Sequence, residues 1–215
     1  MLKLCFILLA LTLASAKFGV NIGTINLSRT IASRLSDSNI TLVAIELLNS
    51  RGTFNTDFLN YYINSLDAGI EVVDAIVRVN DSFVYNETCN NIVEHLPNGF
   101  KGTVWFHVKN DHSVWNRPIG SRVNYLSNLA IACNQRGLNV GVFSDTRDWS
   151  TVMGSVVVGS IKLRSLPVWY HNDNNQQNFK DFAYAGFGLW TKPTMKEYDS
   201  SAYLCGYYMD GLEYY

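Results

Sequence analysis

Gly102-Thr103-Val104-Trp105-Phe106-His107-Val108-Lys109 alternates strictly, with Val104, Phe106 and Val108 on one face and Trp105, His107 and Lys109 on the other. In a barrel the first set would pack on helices and the second would point into the lumen, with His107 and Lys109 at its carboxyl end. Comparable runs occupy residues 18–23, 41–48, 71–79, 139–145 and 167–171, with weaker ones at 195–198 and 207–212. Helix-like segments at 28–36, 57–67, 87–96 and 121–136 fill the earlier gaps, and Gly69, Pro97 and Gly137 stand as stop signals after three of them. Strand–helix–strand order at this spacing predicts a parallel sheet. Eight candidate strands within one domain's length predict an α/β protein, a modified (β/α) TIM-like barrel. The later connections are too short for full helices, so the second half is expected to be irregular.

The same alternation sets Asn21 apart from Val20 and Ile22, Glu46 from Val43, Ile45 and Leu47, and Asp74 and Arg78 from Val73, Val77 and Val79. Polar inner-face residues therefore converge on the carboxyl end of the barrel, where enzymes of this architecture keep their catalytic groups. A solvated barrel mouth would look the same.

Met1-Leu2-Lys3, the apolar run Leu4 to Leu13 and the small residues Ala14-Ser15-Ala16 read as a signal peptide. The mature chain, residues 17–215, is then expected to begin at Lys17 and to be secreted. Sequons at Asn26, Asn39, Asn80 and Asn86 agree with export. Cys5 leaves with the leader, so Cys89, Cys133 and Cys205 remain, an odd number for an oxidising compartment. Cys133 falls in the apolar stripe of a helix with Val123, Leu126, Leu129 and Ala130, which favours a buried thiol and leaves Cys89–Cys205 as the expected disulfide. No CxxC or HxxxH spacing calls for a metal. His95, His112 and His171 are too dispersed to form a metal site, and no cofactor is expected. The net charge of −1 and the lack of a basic run argue against a nucleic-acid surface. No later segment has the roughly 20 apolar residues of a membrane span. The chain is expected to be a monomer.

Several segments, taken in order, resemble the small invertebrate branch of glycoside hydrolase family 25 lysozymes across residues 17–215. They are Phe18-Gly19-Val20-Asn21, Asp67-Ala68-Gly69-Ile70, Val104-Trp105-Phe106, Gly141-Val142-Phe143-Ser144, Trp149-Ser150, Met153-Gly154, Pro167-Val168-Trp169-Tyr170, Trp190-Thr191-Lys192-Pro193 and Leu204-Cys205-Gly206. The resemblance implies a barrel that acts on the muramic acid–glucosamine links of bacterial peptidoglycan, in innate defence. It also implies an Asp ending the first strand, an Asp-x-Glu ending the fourth and a further Asp near the last. This chain has Asn21 at the first position and His107-Val108-Lys109 at the second, and keeps only Asp210. Glycosidic cleavage needs a protonated acid at the leaving oxygen and negative charge near the cationic sugar. An ammonium with a reference pKa of ~10.4 supplies neither. His107 could donate a proton at mildly acidic pH but lacks an anionic partner.

These substitutions imply a homologue without hydrolase activity that binds peptidoglycan or a related cell-wall glycan. Trp169, Tyr198 and Trp105 are the expected stacking residues. The resemblance places a basic residue where Glu46 stands, so Glu46 is expected to pair across the mouth with Lys109 or His107. Solvent, Arg51 or Arg78 are the alternatives. A rearranged muramidase using Asp210, Glu197, Asp145 or Asp111 as its acid is the runner-up, and a purely protein-binding role the third reading.

Overall fold

The computed structural model describes residues 17–23, 25–154, 161–188 and 190–215; the expected leader, with Cys5, lies outside them. The alternating runs form the strands β1 (Lys17–Asn21), β2 (Ile40–Leu48), β3 (Val72–Arg78), β4 (Thr103–His107), β5 (Asn139–Ser144), β6 (Val168–His171), β7 (Met195–Leu204) and β8 (Tyr207–Tyr214). They close into one barrel in sequence order. Pairing is parallel from β1 through β7. The expected all-parallel sheet fails at β8, which runs antiparallel to both β7 and β1. The physical reason is the short connection: Cys205 and Gly206 both have positive φ, 55° and 92°, as a two-residue hairpin turn requires, leaving no room for a crossover.

The helices α1 (Arg29–Asp37), α2 (Phe58–Asp67), α3 (Tyr85–His95) and α4 (Ile119–Gln135) sit where periodicity predicts. Ser28 caps α1, its hydroxyl accepting from the Ile31 amide at 3.3 Å. Between β5 and β6 a further helix, α5 (Thr146–Met153), was not predicted; Asp145 caps it by accepting from Asp148 N at 2.6 Å. Short turns α6 (Ile161–Arg164) and α7 (Phe182–Ala185) complete the irregular half. That half is fastened by Lys196, fully buried on the outer face, which ion-pairs with Asp181 at 2.9 Å and donates to Asn174, Gln176 and Asn178. Among the described residues no helix is long and apolar enough to cross a membrane.

The larger core lies between sheet and helices and holds Val104, Phe106 and Val108; a smaller one fills the lumen with Leu42, Ala44, Ile76, Trp105, Phe143, Trp169, Met195, Leu212 and Tyr214. Trp105 and Trp169 meet edge to face at 5.7 Å, and Phe143 stacks on Trp169 at 3.9 Å. Gly141 makes this possible, because a Cβ there would come within 2.4 Å of the Trp105 ring. Below them Asp74, 2 % exposed, accepts from Trp105 Nε1 and from the Thr103 amide, each at 2.7 Å.

The expected Cys89–Cys205 disulfide is not formed, because Cys205 sits in the β7–β8 turn while Cys89 faces Cys133 across the α3–α4 packing. Asn26, Asn39 and Asn86 are exposed, whereas the Asn80 amide is engaged, donating to Ser50 O at 2.8 Å.

A thiol reagent added to the native protein should label the half-buried Cys205 first, with Cys89 and Cys133 reacting only on unfolding; peptide mass spectrometry reads the order. Trp169→Ala should cost about 3–5 kcal/mol of stability in chemical denaturation, since it empties the middle of the lumen.

Candidate functional site

Each strand delivers one polar side chain to the carboxyl end of the barrel. In ring order these are Asn21, Glu46, Arg78, His107, Asp145 just past β5, His171, Glu197 and Asp210, around a cleft of about 340 Å³ with Lys109 at its rim. The floor is the top of the lumen stack, since the His107 ring lies on Phe143 at 4.1 Å and 24°.

Asn21 organises one side of the ring. Its Oδ1 accepts from the Gly23 amide at 3.1 Å, which turns Nδ2 toward two carboxyl groups: Asp210 Oδ2 at 2.9 Å and Glu197 Oε2 at 3.4 Å. Strand pairing accounts for the cluster, because Asn21 lies opposite Asp210 and Glu197 opposite Leu212. Glu197 is 5 % exposed, and burial together with the Asp210 charge pushes its pKa up to about 8. Burial also raises Asp210, to about 6, against the opposing pull of Lys109. Both carboxyls are therefore harder to ionise than free ones, and Glu197 the more so of the two.

The other side is basic. Arg78 Nε donates to Glu46 Oε2 at 2.5 Å. His107 is held well below the usual imidazole range by burial and by the positive charges of Arg78, Lys109 and His171. It is neutral where a proton donor would have to be charged, contrary to the expectation that it could serve as an acid. Among the described residues the Lys109 ammonium forms no direct ion pair, while its carbonyl accepts from Trp115 Nε1 at 2.8 Å. His171 Nδ1 stands 4.0 Å from Asp145 Oδ2, and its Nε2 is buried with no partner among the described residues.

Asn21, His107 and Lys109 thus meet at the mouth as their alternation predicts, and Asp210 joins them as the resemblance implies. The cross-mouth pairing of Glu46 with Lys109 or His107 does not form, since neighbouring β3 brings Arg78 closer. The stacking assignments also fail. Trp105 and Trp169 are 2 % and 0 % exposed inside the lumen, and Tyr198 lies on the outer face, with Gln177 Nε2 donating to its hydroxyl at 3.0 Å. His171 was read as dispersed from the other histidines, yet it belongs to the ring; the alternation that points Trp169 inward does the same for His171.

A family model described as lysozyme-like protein 1 matches residues 12–198. Among curated proteins the chain is similar to probable GH family 25 lysozyme 3 of Dictyostelium discoideum, 29% identical over 214 residues, covering 97% of this chain and 43% of that one. The chain thus spans less than half the length of that relative. Among solved structures it is similar to the bacterial lysozyme of Streptomyces coelicolor, with a TM-score of 0.72, 13% identity, and 94% and 93% of the two chains covered. It is also similar to the modular autolysin LytC of Streptococcus pneumoniae in complex with a synthetic peptidoglycan ligand, with a TM-score of 0.69, 16% identity, and 93% and 47% covered.

A carboxyl group raised in the folded state binds more protons there than in the unfolded chain, so stability falls as pH rises through its folded value. Glu197, Asp210 and Asp74, the last raised by burial to about 6, all act in this sense. Glu197→Gln should abolish the slope between about 6 and about 8 and weaken, without removing, the slope below about 6 that Asp210 and Asp74 share, as read from thermal midpoints across that range.

Proposed function

Because the chain belongs to the lysozyme-like family of glycoside hydrolase family 25 type, we propose that it is a secreted protein that binds peptidoglycan or a closely related cell-wall glycan without cutting it, in defence against bacteria. The observation that carries this reading is the end of β4. Where a glycosidase needs a carboxylic acid beside the leaving oxygen, this mouth has a neutral imidazole, His107, and an ammonium, Lys109. A cation there repels the developing positive charge of the sugar. The raised carboxyl pair does not compensate by itself. Glu197 and Asp210 crowd one amide nitrogen, at 3.4 and 2.9 Å, on the same side of the cleft, whereas a glycosidic bond has to lie between its acid and its base or nucleophile. The cleft still offers polar groups a sugar needs for recognition: Asn21, Arg78, Lys109 and Asp145 as donors and acceptors around the His107 ring.

One observation favours the second reading, a hydrolase with rebuilt chemistry. Buried Glu197, its pKa raised to about 8, lines the mouth beside Asp210, and a carboxyl raised in this way is what a general acid requires.

The deciding measurement is release of new reducing ends from purified peptidoglycan, with a sedimentation binding assay on the same material. The expected outcome is saturable binding and no release. An Asn21→Asp, His107→Asp, Lys109→Glu triple variant that gains release would further support an intact barrel lacking only its carboxylates. Release by the unaltered protein that disappears in Glu197→Gln would overturn the non-cutting reading in favour of the second.

A further inference from the structure

Beyond the rim of the barrel β7 and β8 continue as a hairpin whose outer face packs on the core through Leu204, Cys205 and Met209. Along β8 the inner-face row runs Tyr214, Leu212, Asp210, Tyr208: Tyr214 and Leu212 lie in the lumen, Asp210 lines the mouth, and Tyr208 is the next step above it. Met209, on the alternate face, is 2 % exposed and packs into the outer core, which fixes the orientation of the row. Tyr203 lies directly across from Tyr208 in the register, and their rings stand 5.1 Å apart at 54°. Both are open to solvent, Tyr203 at 65 % and Tyr208 at 70 %.

We propose that Tyr203 and Tyr208 form a stacking platform for the glycan strand, seating pyranose rings that extend from the mouth over the hairpin. This inference rests on the glycan-binding reading of the mouth and extends it to a second contact. The occupant follows from continuity with the cleft. A cleft of about 340 Å³ encloses only a short piece of a polymer, and the strand that carries Asp210 into that cleft carries Tyr208 onto the wall beside it. The aromatic rings inside the barrel, Trp105, Trp169 and Phe143, are at most 3 % exposed, so the flat apolar faces of sugars find no large exposed ring there. The hairpin pair supplies such faces, with phenolic hydroxyls at their edges for the sugar hydroxyls.

Calorimetric titration with soluble peptidoglycan disaccharide and tetrasaccharide tests this. The unaltered protein should bind the tetrasaccharide more tightly, and the Tyr203→Ala/Tyr208→Ala variant should lose about tenfold in tetrasaccharide affinity, one stacking contact's worth. Its disaccharide affinity should stay unchanged. The Tyr203→Phe/Tyr208→Phe variant should retain most of the gain. Tyr207→Ala, on the opposite face and 42 % exposed, should bind like the unaltered protein. Loss of the cross-strand ring contact should lower the thermal midpoint by no more than about 4 °C, leaving the fold intact. If the unaltered protein binds both sugars and the double alanine variant matches it, the platform is refuted while the mouth reading stands. If the unaltered protein binds neither, the mouth reading falls and takes the platform with it. A loss in the phenylalanine variant equal to that in the alanine variant would refute stacking.

Discussion

Closure of the sheet through β8 is the constraint on which the rest of this molecule depends. A strand inserted antiparallel between β7 and β1 satisfies both edges of the ladder, and it brings its amino-terminal half to the end where the parallel strands finish. Asp210 reaches the mouth only because β8 runs backwards. Asn21 meets it because β1 and β8 are in register at that point. A parallel last strand would carry its opposite end there and would need a crossover helix for which the chain has no residues.

Closure also divides the lumen into layers that behave differently. The lower layers are apolar, set by Trp105, Trp169 and Phe143, and their volumes are interlocked through Gly141. The upper layer is polar and comes one residue at a time from separate strands. Charges there can change without disturbing strand register. That explains how a lysozyme-like chain can carry Asn21, His107 and Lys109 on a barrel that still superimposes on a bacterial lysozyme with a TM-score of 0.72. The carboxyls at the mouth differ from exposed ones, since burial and the Asp210 charge make Glu197 harder to ionise than an exposed glutamate.

The alternation within Gly102–Lys109 is enough to read the inner and outer faces of β4, and the same rule places Asn21, Glu46 and Arg78 at the mouth; it turns Asp74 inward as well, but at the far end and not at the mouth, while Asp210 follows from the resemblance alone. The rule fails where a face has to be divided by depth. Trp105 and Trp169 point inward as read, but whether an inward side chain fills the lumen or lines the mouth depends on where the neighbouring strand starts, and pairing register is not written in a single segment. Partner choice was hidden for the same reason: Arg78 takes Glu46 because β3 is next to β2, and Cys89 meets Cys133 because α3 lies against α4. The antiparallel β8 was within reach, for Cys205-Gly206 between two short β-runs is a hairpin signal.

Asp74 closes the far end. Its carboxyl, locked to Trp105 and Thr103 beneath the tryptophans, leaves no aqueous passage along the barrel axis. Whatever enters the mouth must leave by it, so a polymer cannot be threaded through and can only be straddled. For the glycan ligand proposed above, such a mouth needs no free glycan terminus and admits an unbroken strand.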